Sequence, residues 1–249
     1  MQVFDQTWLL LFAGLAYLLG GFVKGVIGGG LPAISIGLLG IVMPVPEAAA
    51  LVVAPAFLSN IWQSLGPQFW PLLRRLWPMV VGIGVGAWLG TRTMTGMHSE
   101  WARPGLGLAL AIYALVGLFK IRLHLPRAHE PWLGPLAGLA TGAIASATGV
   151  FVIPSGPYLQ AIGLGKDDMV QALGIVFTVS TVTLAGIVAH ANAIQFAVSA
   201  PAALALVAAL VGIFLGQRVR SRLPEETFRM MFFAGLLLLG GYLVLQGTL

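Results

Sequence analysis

The sequence lacks cysteine and has few charged residues. Its 249 residues include no Cys, and 8% of them are charged, against about 25% in average soluble proteins. Without cysteine, a disulfide framework, thiolate chemistry and cysteine-based metal sites are excluded. So few charges cannot cover the surface of a soluble domain, so that class is excluded as well. The 58% of hydrophobic residues and the mean hydropathy of +0.94 predict a polytopic membrane protein instead.

Several functional motifs are also missing. The sequence has no H-x-x-x-H, no G-x-x-x-x-G-K-[ST] and no cluster of carboxylates, so we predict no metal site, no cofactor and no catalytic residue. The net charge of +5 is assigned to cytoplasmic loops that retain Lys and Arg, and no nucleic-acid partner is expected. The N-terminal MQVFDQTW carries no basic residue, so the first apolar run is expected to stay in the mature protein.

Long apolar runs predict an all-α fold and exclude a β-barrel, whose strands alternate over about 10 residues. We place ten segments at roughly 8–25, 28–43, 47–65, 77–94, 104–121, 132–147, 148–163, 168–190, 197–217 and 226–246. The second, sixth and seventh are short for a span of about 20 residues and rich in Gly, Ser, Thr and Pro. They are predicted to be interrupted or re-entrant helices. The chain thus has 8–10 hydrophobic segments, depending on whether these short segments cross the membrane.

Two motifs predict an internal repeat. Residues 21–27 and 138–144 both read G-x-x-x-G-x-I at an offset of 117, and residues 86–92 and 212–218 share a G-x-x-x-G-x-R pattern at an offset of 126. The alternative is chance, since G-x-x-x-G is common in membrane helices. The repeat predicts two halves, 1–125 and 126–249, with five segments each. Because five is odd, the second half is expected to be inverted.

Basic loops predict the orientation. Arg74-Arg75, the central loop with Lys120, Arg122 and Arg127, and the loop with Arg218, Arg220 and Arg222 all fall on one side if the segments alternate. Positive loops face the cytoplasm, which places both termini outside; Arg92 and Arg103 are exceptions. Inverted repeats with broken helices are typical of secondary transporters, whose binding site lies at the repeat interface.

The first helix break contains the strongest candidate residues. Gly28, Gly29 and Gly30 disfavour a continuous helix, and Pro32 suits the first turn of a new one. Free N–H groups at that start attract anions, so Gly25 and Gly28–Gly30 are candidate backbone donors; close helix packing is the alternative. Lys24 is a buried cation, for which a functional role is the default. The alternative is that Lys24 extends to the cytoplasmic surface.

The second break and two helices supply neutral polar candidates. Hydroxyls on these segments are predicted to bind substrate oxygens or to line a polar pathway, with bonding to their own helix and interhelical packing as the alternatives. They are Thr141, Ser146, Thr148, Thr178, Ser180, Thr181 and Thr183, facing Ser59, Asn60 and Gln63 of the first half. Glu47 and the Lys166-Asp167-Asp168 run fit ordinary helix N-termini. His190 is a candidate proton-coupling group or a solvated loop residue.

Two long stretches resemble the sulfite exporter TauE/SafE family of bacterial membrane proteins. They are GGFVKGVIGGGLPAISIGLLGIVMPVPEAAALVVAPAFLSNIWQ and GLATGAIASATGVFVIPSGPYLQAIGLGKDDMVQALGIVFTVSTVTLAG. The most specific parts are the G-x-x-x-G-x-x-G-x-G opening and Glu47-Ala48. In the second half, residues 145–149 replace the family's more usual glycine-dense run. The resemblance implies export or exchange of small anions, often sulfite or organosulfonates.

These observations predict a secondary transporter that moves a small anion, sulfite or an organosulfonate or organic acid, across the bacterial inner membrane by alternating access. Assembly of the transporter as a homo-oligomer is left as an open alternative. A cation or metal permease is the first alternative, although no carboxylate lies in the middle of a segment. An intramembrane enzyme and a non-transporting assembly subunit are the others. The intramembrane enzyme needs His, Asp or Arg residues grouped at one depth of the membrane, which the sequence does not offer.

Overall fold

The computed structural model describes residues 2–93, 102–119, 124–190, 200–220 and 225–248, and every regular element in these ranges is helical. The prediction of an all-α polytopic fold is confirmed. The ten α-helices are α1 (Gln2–Ile27), α2 (Leu31–Leu39), α3 (Val45–Ser64), α4 (Phe69–Thr93), α5 (Ala102–Leu118), α6 (Glu130–Thr148), α7 (Ser155–Ala161), α8 (Lys166–His190), α9 (Ala200–Arg220) and α10 (Glu225–Thr248).

Within the described ranges, five helices are long and apolar enough to cross a membrane. Their spans are Trp8–Ile27, Val45–Ser64, Phe69–Thr91, Asp168–Ala189 and Pro201–Val219. Large apolar side chains lie exposed around the outside of the bundle, among them Leu11, Trp62, Trp132 and Leu238. Such a surface is stable in lipid and not in water, so the chain is a multi-pass membrane protein.

Two of the three short segments are short helices. The second and seventh segments form α2 and α7, with nine and seven residues. The sixth segment is longer than predicted, because α6 has nineteen residues, a length of about 29 Å at 1.5 Å per residue. It ends at Gly149, whose φ of 72° and N–H bond to the Ala145 carbonyl form a left-handed C-cap. The small residues before Gly149 stay helical.

Each short helix runs back along the helix before it. Ser35 of α2 donates a hydrogen bond to the Ala16 carbonyl of α1 at 3.5 Å. In the second half, a Cβ built on Gly134 of α6 would lie 2.9 Å from the Tyr158 hydroxyl of α7. The pairs α1–α2 and α6–α7 are therefore helical hairpins. We call residues 28–30 the first tip and residues 149–154 the second tip.

Glycines bring two pairs of long helices into backbone contact, α1 with α9 and α4 with α6. Cβ atoms built on the glycines at these crossings would lie only 2.1–2.5 Å from a facing carbonyl oxygen, so no larger residue fits there. The contacts are Gly21 to Ala209, Gly25 to Ile213, Gly212 to Leu18 and Gly216 to Phe22 in the first pair, and Gly138 to Met79, Gly142 to Ile83, Gly82 to Pro135 and Gly86 to Leu139 in the second.

The partners of these glycines match between the two pairs. Gly212 and Gly216 of α9 contact Leu18 and Phe22 of α1. Gly82 and Gly86 of α4 contact Pro135 and Leu139 of α6, which lie 117 positions after those two α1 residues. The contacts therefore relate α4 to α9 by an offset of 130, one helical turn away from the 126 that the G-x-x-x-G-x-R pattern suggested.

Two further pairs, α3 with α8 and α5 with α10, complete the bundle. Gly107 and Gly240 meet at the α5–α10 crossing, where a Cβ on either would lie 2.6 Å from the other's carbonyl oxygen.

Candidate functional site

A cavity lies where the two hairpin tips meet the middle of α3 and α8. About 40 Å³ of it is open to the centres of water molecules, while one water needs about 10–15 Å³ by that measure. The space fits a small ion or a few waters. Its walls are formed by Lys24, Gly29, Gly30, Pro32, Ala33, Ala56, Asn60, Gly149, Val150, Phe151, Val152, Phe177, Ser180, Thr181 and Leu184.

Lys24 supplies the one charged side chain among these lining residues. Its side chain is buried, with 6% of the residue exposed, so it does not extend to the surface. The ammonium donates a hydrogen bond to the Asn60 carbonyl oxygen of α3. In the described ranges Lys24 forms no ion pair; the salt bridge seen there joins Arg75 and Glu130. A buried cation without a counterion costs several kcal/mol, so the cavity is electrostatically suited to an anion.

Asn60 connects the ammonium to the second half of the chain. Its amide nitrogen donates to the Thr181 hydroxyl oxygen of α8 at 3.1 Å. Thr181 donates in turn to the Phe177 carbonyl of its own helix at 2.7 Å. Both Asn60 and Thr181 are buried. The cation of the first half is therefore linked to α8 by an unbroken series of hydrogen bonds.

Gly29 and Gly30 of the first tip line the cavity. Gly28 and Gly30 adopt φ values of 82° and 96°, in the left-handed region that favours glycine. Gly30 is the N-cap of α2 and no side chain caps that helix. Among the described residues, the N–H groups of Gly29 and Gly30 have no hydrogen-bond partner. An uncapped helix start beside a lysine attracts negative charge.

The second tip and α8 make the rest of the wall mostly apolar. Val150, Phe151 and Val152 follow the left-handed Gly149 and face Phe177 and Leu184 of α8. The Thr148 hydroxyl accepts a hydrogen bond from the Val150 N–H at 3.2 Å, which holds the start of this tip. Apolar walls lower the local dielectric constant and so strengthen the field of the single ammonium.

Six of the residues predicted from the sequence line the cavity. They are Lys24, Gly29, Gly30, Asn60, Ser180 and Thr181. Ser180 lies beside Thr181, but its hydroxyl donates to the Val176 carbonyl of its own helix at 2.8 Å. The structure thus brings together a cation, an amide, two hydroxyls and two glycines from both halves of the chain.

The other seven predicted residues lie outside the cavity lining. Gly25 packs against the α9 backbone, and the Gly28 carbonyl accepts a hydrogen bond from Gln63 at 3.0 Å. The hydroxyls of the remaining four donate to carbonyls of their own helix: Ser59 to Pro55, Thr141 to Ala137, Ser146 to Ala143 and Thr148 to Ile144. Thr178 and Thr183 bond in the same way to Gly174 and Val179. Gln63, the last of the seven, takes part in polar contacts between the two halves that are described below.

The apolar part of the wall was not predicted from the sequence. Phe151 and Phe177 line the cavity but carry no polar group, so no search for anion ligands finds them. A signal existed for Phe151, because Gly149 follows an apolar helical run and glycine is the usual residue just past a helix end. Placing the break at Gly149 puts residues 150–153 at the hairpin tip.

Polar contacts join the two halves of the chain at the C-terminal end of α3 and the N-terminal end of α8. Gln63 donates to the carbonyls of Gly28 and Val170 at 3.0 and 2.9 Å, and Gln171 donates to the Ser64 carbonyl at 2.9 Å. We call the full set the polar clasp. It comprises Gln63, Ser64, Gln68, Arg75, Glu130, Ile162, Val170 and Gln171.

Acidic residues and histidines form no cluster near the cavity. In the ranges that the structure describes, no three His, Cys, Asp or Glu side chains lie together as metal ligands would. Glu47 lies in the first turn of α3, as its interpretation as a helix N-terminal residue predicts. The side chains of Arg92, Arg103, Lys166, Asp167 and His190 lie outside the described residues.

A protein-family model covers most of the chain. The family model described as sulfite exporter TauE/SafE matches residues 13–243, which include both hairpin tips, α3, α8 and every residue of the cavity wall. No curated protein and no solved structure matches the chain.

Proposed function

Because the chain belongs to the sulfite exporter TauE/SafE family, a family of membrane transporters, we propose that it is a secondary transporter of a small oxyanion in the bacterial inner membrane. The substrate class is sulfite or an organosulfonate or organic acid. The anion binds in the cavity between the two tips and crosses by alternating access.

The observation that carries this proposal is the buried Lys24, which has no counterion among the described residues. Its ammonium, the uncapped start of α2 and the Asn60–Thr181 pair all border one cavity. An anion there neutralises the cation and accepts hydrogen bonds from the Gly29 and Gly30 N–H groups. A cation in the same place meets an ammonium and no carboxylate, so a cation or metal permease fits the cavity poorly.

The balance of charge suits transport rather than permanent binding. One ammonium attracts the anion, while the other polar groups of the wall are neutral amides and hydroxyls. Several fixed cations would hold an anion too tightly for release. A single cation in an apolar wall gives moderate affinity, which a transport cycle requires.

The arrangement of helices supports an inverted repeat with halves 1–125 and 126–249. The pairs α1–α9 and α4–α6 repeat the same glycine contacts. In the other two pairs, the third helix of one half packs on the third helix of the other (α3 on α8), and the fifth on the fifth (α5 on α10). A pseudo-two-fold axis relates contacts in this way, and it passes near Asn60–Thr181 and Gly107–Gly240. The cavity then lies at the repeat interface, where transporters of this architecture bind substrate.

The polar clasp supports alternating access. It joins the two halves on one side of Asn60 and Thr181, whereas the cavity extends the other way, toward Ala56 and Leu184. Arg74 and Arg127 lie on the clasp side, so the positive-inside rule makes that side cytoplasmic and places both termini outside. The structure then corresponds to a state closed toward the cytoplasm.

A flux assay in proteoliposomes tests the function. Radiolabelled sulfite, methanesulfonate, sulfate and acetate are compared with and without a proton gradient. We expect saturable flux of sulfite or the sulfonate, competed by the other. If no anion moves above protein-free liposomes while a divalent metal does, the proposal is wrong.

A further inference from the structure

The role of Thr181 differs from that of a substrate ligand. A threonine hydroxyl has one proton and can accept through its lone pairs. That proton is donated to the Phe177 carbonyl at 2.7 Å. Toward the cavity the oxygen therefore acts as an acceptor, and it accepts from the Asn60 amide at 3.1 Å. An anion needs donors, so Thr181 has nothing to offer it directly.

The amide of Asn60 is held in one orientation by its two neighbours. Lysine has three donors and no acceptor, so only the Asn60 carbonyl oxygen can face Lys24. The amide nitrogen then faces Thr181, whose hydroxyl is oriented to accept. A flipped amide would face its N–H groups toward an ammonium and leave both donors buried without an acceptor, which is unfavourable.

We infer that Thr181 is a positioning residue of the anion site, which acts through Asn60 to hold the Lys24 ammonium at the cavity wall. This inference rests on the proposed function. It means that α8, from the second half of the chain, sets the place of the charge that α1 supplies. Movement between α3 and α8 would then change the position of the ammonium.

Two substitutions at one position separate the hydroxyl from the shape of the side chain. Thr181→Val keeps the volume and removes the acceptor, whereas Thr181→Ser keeps the acceptor. The matched control is Thr183→Val on the same helix, because Thr183 donates to the Val179 carbonyl of its own helix at 3.0 Å and lies outside the cavity lining. If Thr181→Val does not fold, Thr181→Ala serves as the second variant that lacks the acceptor.

The first readout is the KM for radiolabelled sulfite in proteoliposomes. We expect Thr181→Val to raise it about tenfold, as the loss of a buried hydrogen bond implies, with Thr181→Ser and Thr183→Val within about twofold of the parent. In an Asn60→Ala background, Thr181→Val should add no further loss. A tenfold loss that persists in that background, or a Ser variant as impaired as Val, would overturn the inference.

The second readout does not depend on transport. The rate at which a small amine-reactive reagent modifies Lys24 is followed by mass spectrometry of its peptide. Only the neutral amine of lysine attacks such a reagent, and the hydrogen bond to Asn60 favours the protonated ammonium, so we expect faster modification in Thr181→Val and the parental rate in Thr181→Ser. Equal rates in the parent and Thr181→Val overturn the role of Thr181. If the parent carries no sulfite, the proposed function fails while this comparison still decides the inference.

Discussion

Arg75 of α4 forms a bidentate ion pair with Glu130 of α6, with nitrogen–oxygen distances of 2.7 and 2.5 Å. The same guanidinium donates to the Ile162 carbonyl at 3.1 Å, which ties the end of α7 to the pair. The two side chains are 23% and 10% exposed, so the pair is partly protected from water. One ion pair thus connects the first half of the chain to both arms of the second hairpin.

Removing one partner of this pair should destabilise the fold. Arg75→Met leaves the Glu130 carboxylate without its partner, and we expect the free energy of unfolding to fall by about 1–3 kcal/mol. The double variant Arg75→Met/Glu130→Leu should recover part of that loss, since no uncompensated charge is left. Denaturant titration in detergent micelles measures both. Losses that simply add in the double variant would show that the two side chains are not coupled.

The polar clasp should control access from its own side of the membrane. The chain has no cysteine, so Val152→Cys on the second tip gives one reactive thiol in the cavity wall. In liposomes we expect a membrane-impermeant thiol reagent to reach it faster from the side opposite the clasp. Adding Gln63→Leu removes the bonds to Gly28 and Val170 and should increase labelling from the clasp side severalfold.

The control for this experiment is Gln160→Leu. Gln160 is exposed on α7 and lies outside the clasp, so the same chemical change there should leave the labelling pattern unaltered. Fast labelling from the clasp side in the parent protein would contradict the assignment of that side as closed.

Glycine at the α4–α6 crossing should be required for folding. A Cβ at Gly86 would lie 2.1 Å from the Leu139 carbonyl oxygen, whereas a Cβ at Gly84 meets nothing within 4 Å. We expect Gly86→Ala to lower the free energy of unfolding by about 1–3 kcal/mol through overpacking. Gly84→Ala should be neutral or slightly stabilising, because alanine favours helix. Equal unfolding midpoints for the two variants would contradict this packing.

The sequence predicted the fold class and the first tip well, because the underlying signals are local. Apolar runs of about 20 residues indicate spans, and three adjacent glycines before Pro32 indicate a break. The second tip was placed slightly too early, since the boundary between the sixth and seventh segments was set at residues 147 and 148, whereas α6 continues through Thr148 to its cap at Gly149. Small residues in a membrane helix pack against a neighbour, and only the left-handed cap ends it.

Hydroxyl ligands were the weakest predictions. Whether a threonine faces a cavity or bonds to its own helix depends on its rotamer and on the neighbouring helix, which the sequence does not display. Thr141 and Thr181 have the same chemistry, yet only Thr181 meets a side chain from another helix. The link from Lys24 to Asn60 joins side chains 36 positions apart on two different helices, so it depends on the three-dimensional arrangement of the chain.

The most direct test of the anion site is sulfite flux through Lys24→Met in proteoliposomes. Arg74→Met is its control, because Arg74 is an exposed cation away from the cavity and its loss changes the net charge by the same amount. Replacing a buried charge by an apolar side chain of similar length is often neutral or stabilising, so both variants should fold. We predict that Lys24→Met abolishes flux while Arg74→Met retains the parental rate. Parental flux through folded Lys24→Met would contradict the assignment of this cavity as the anion site.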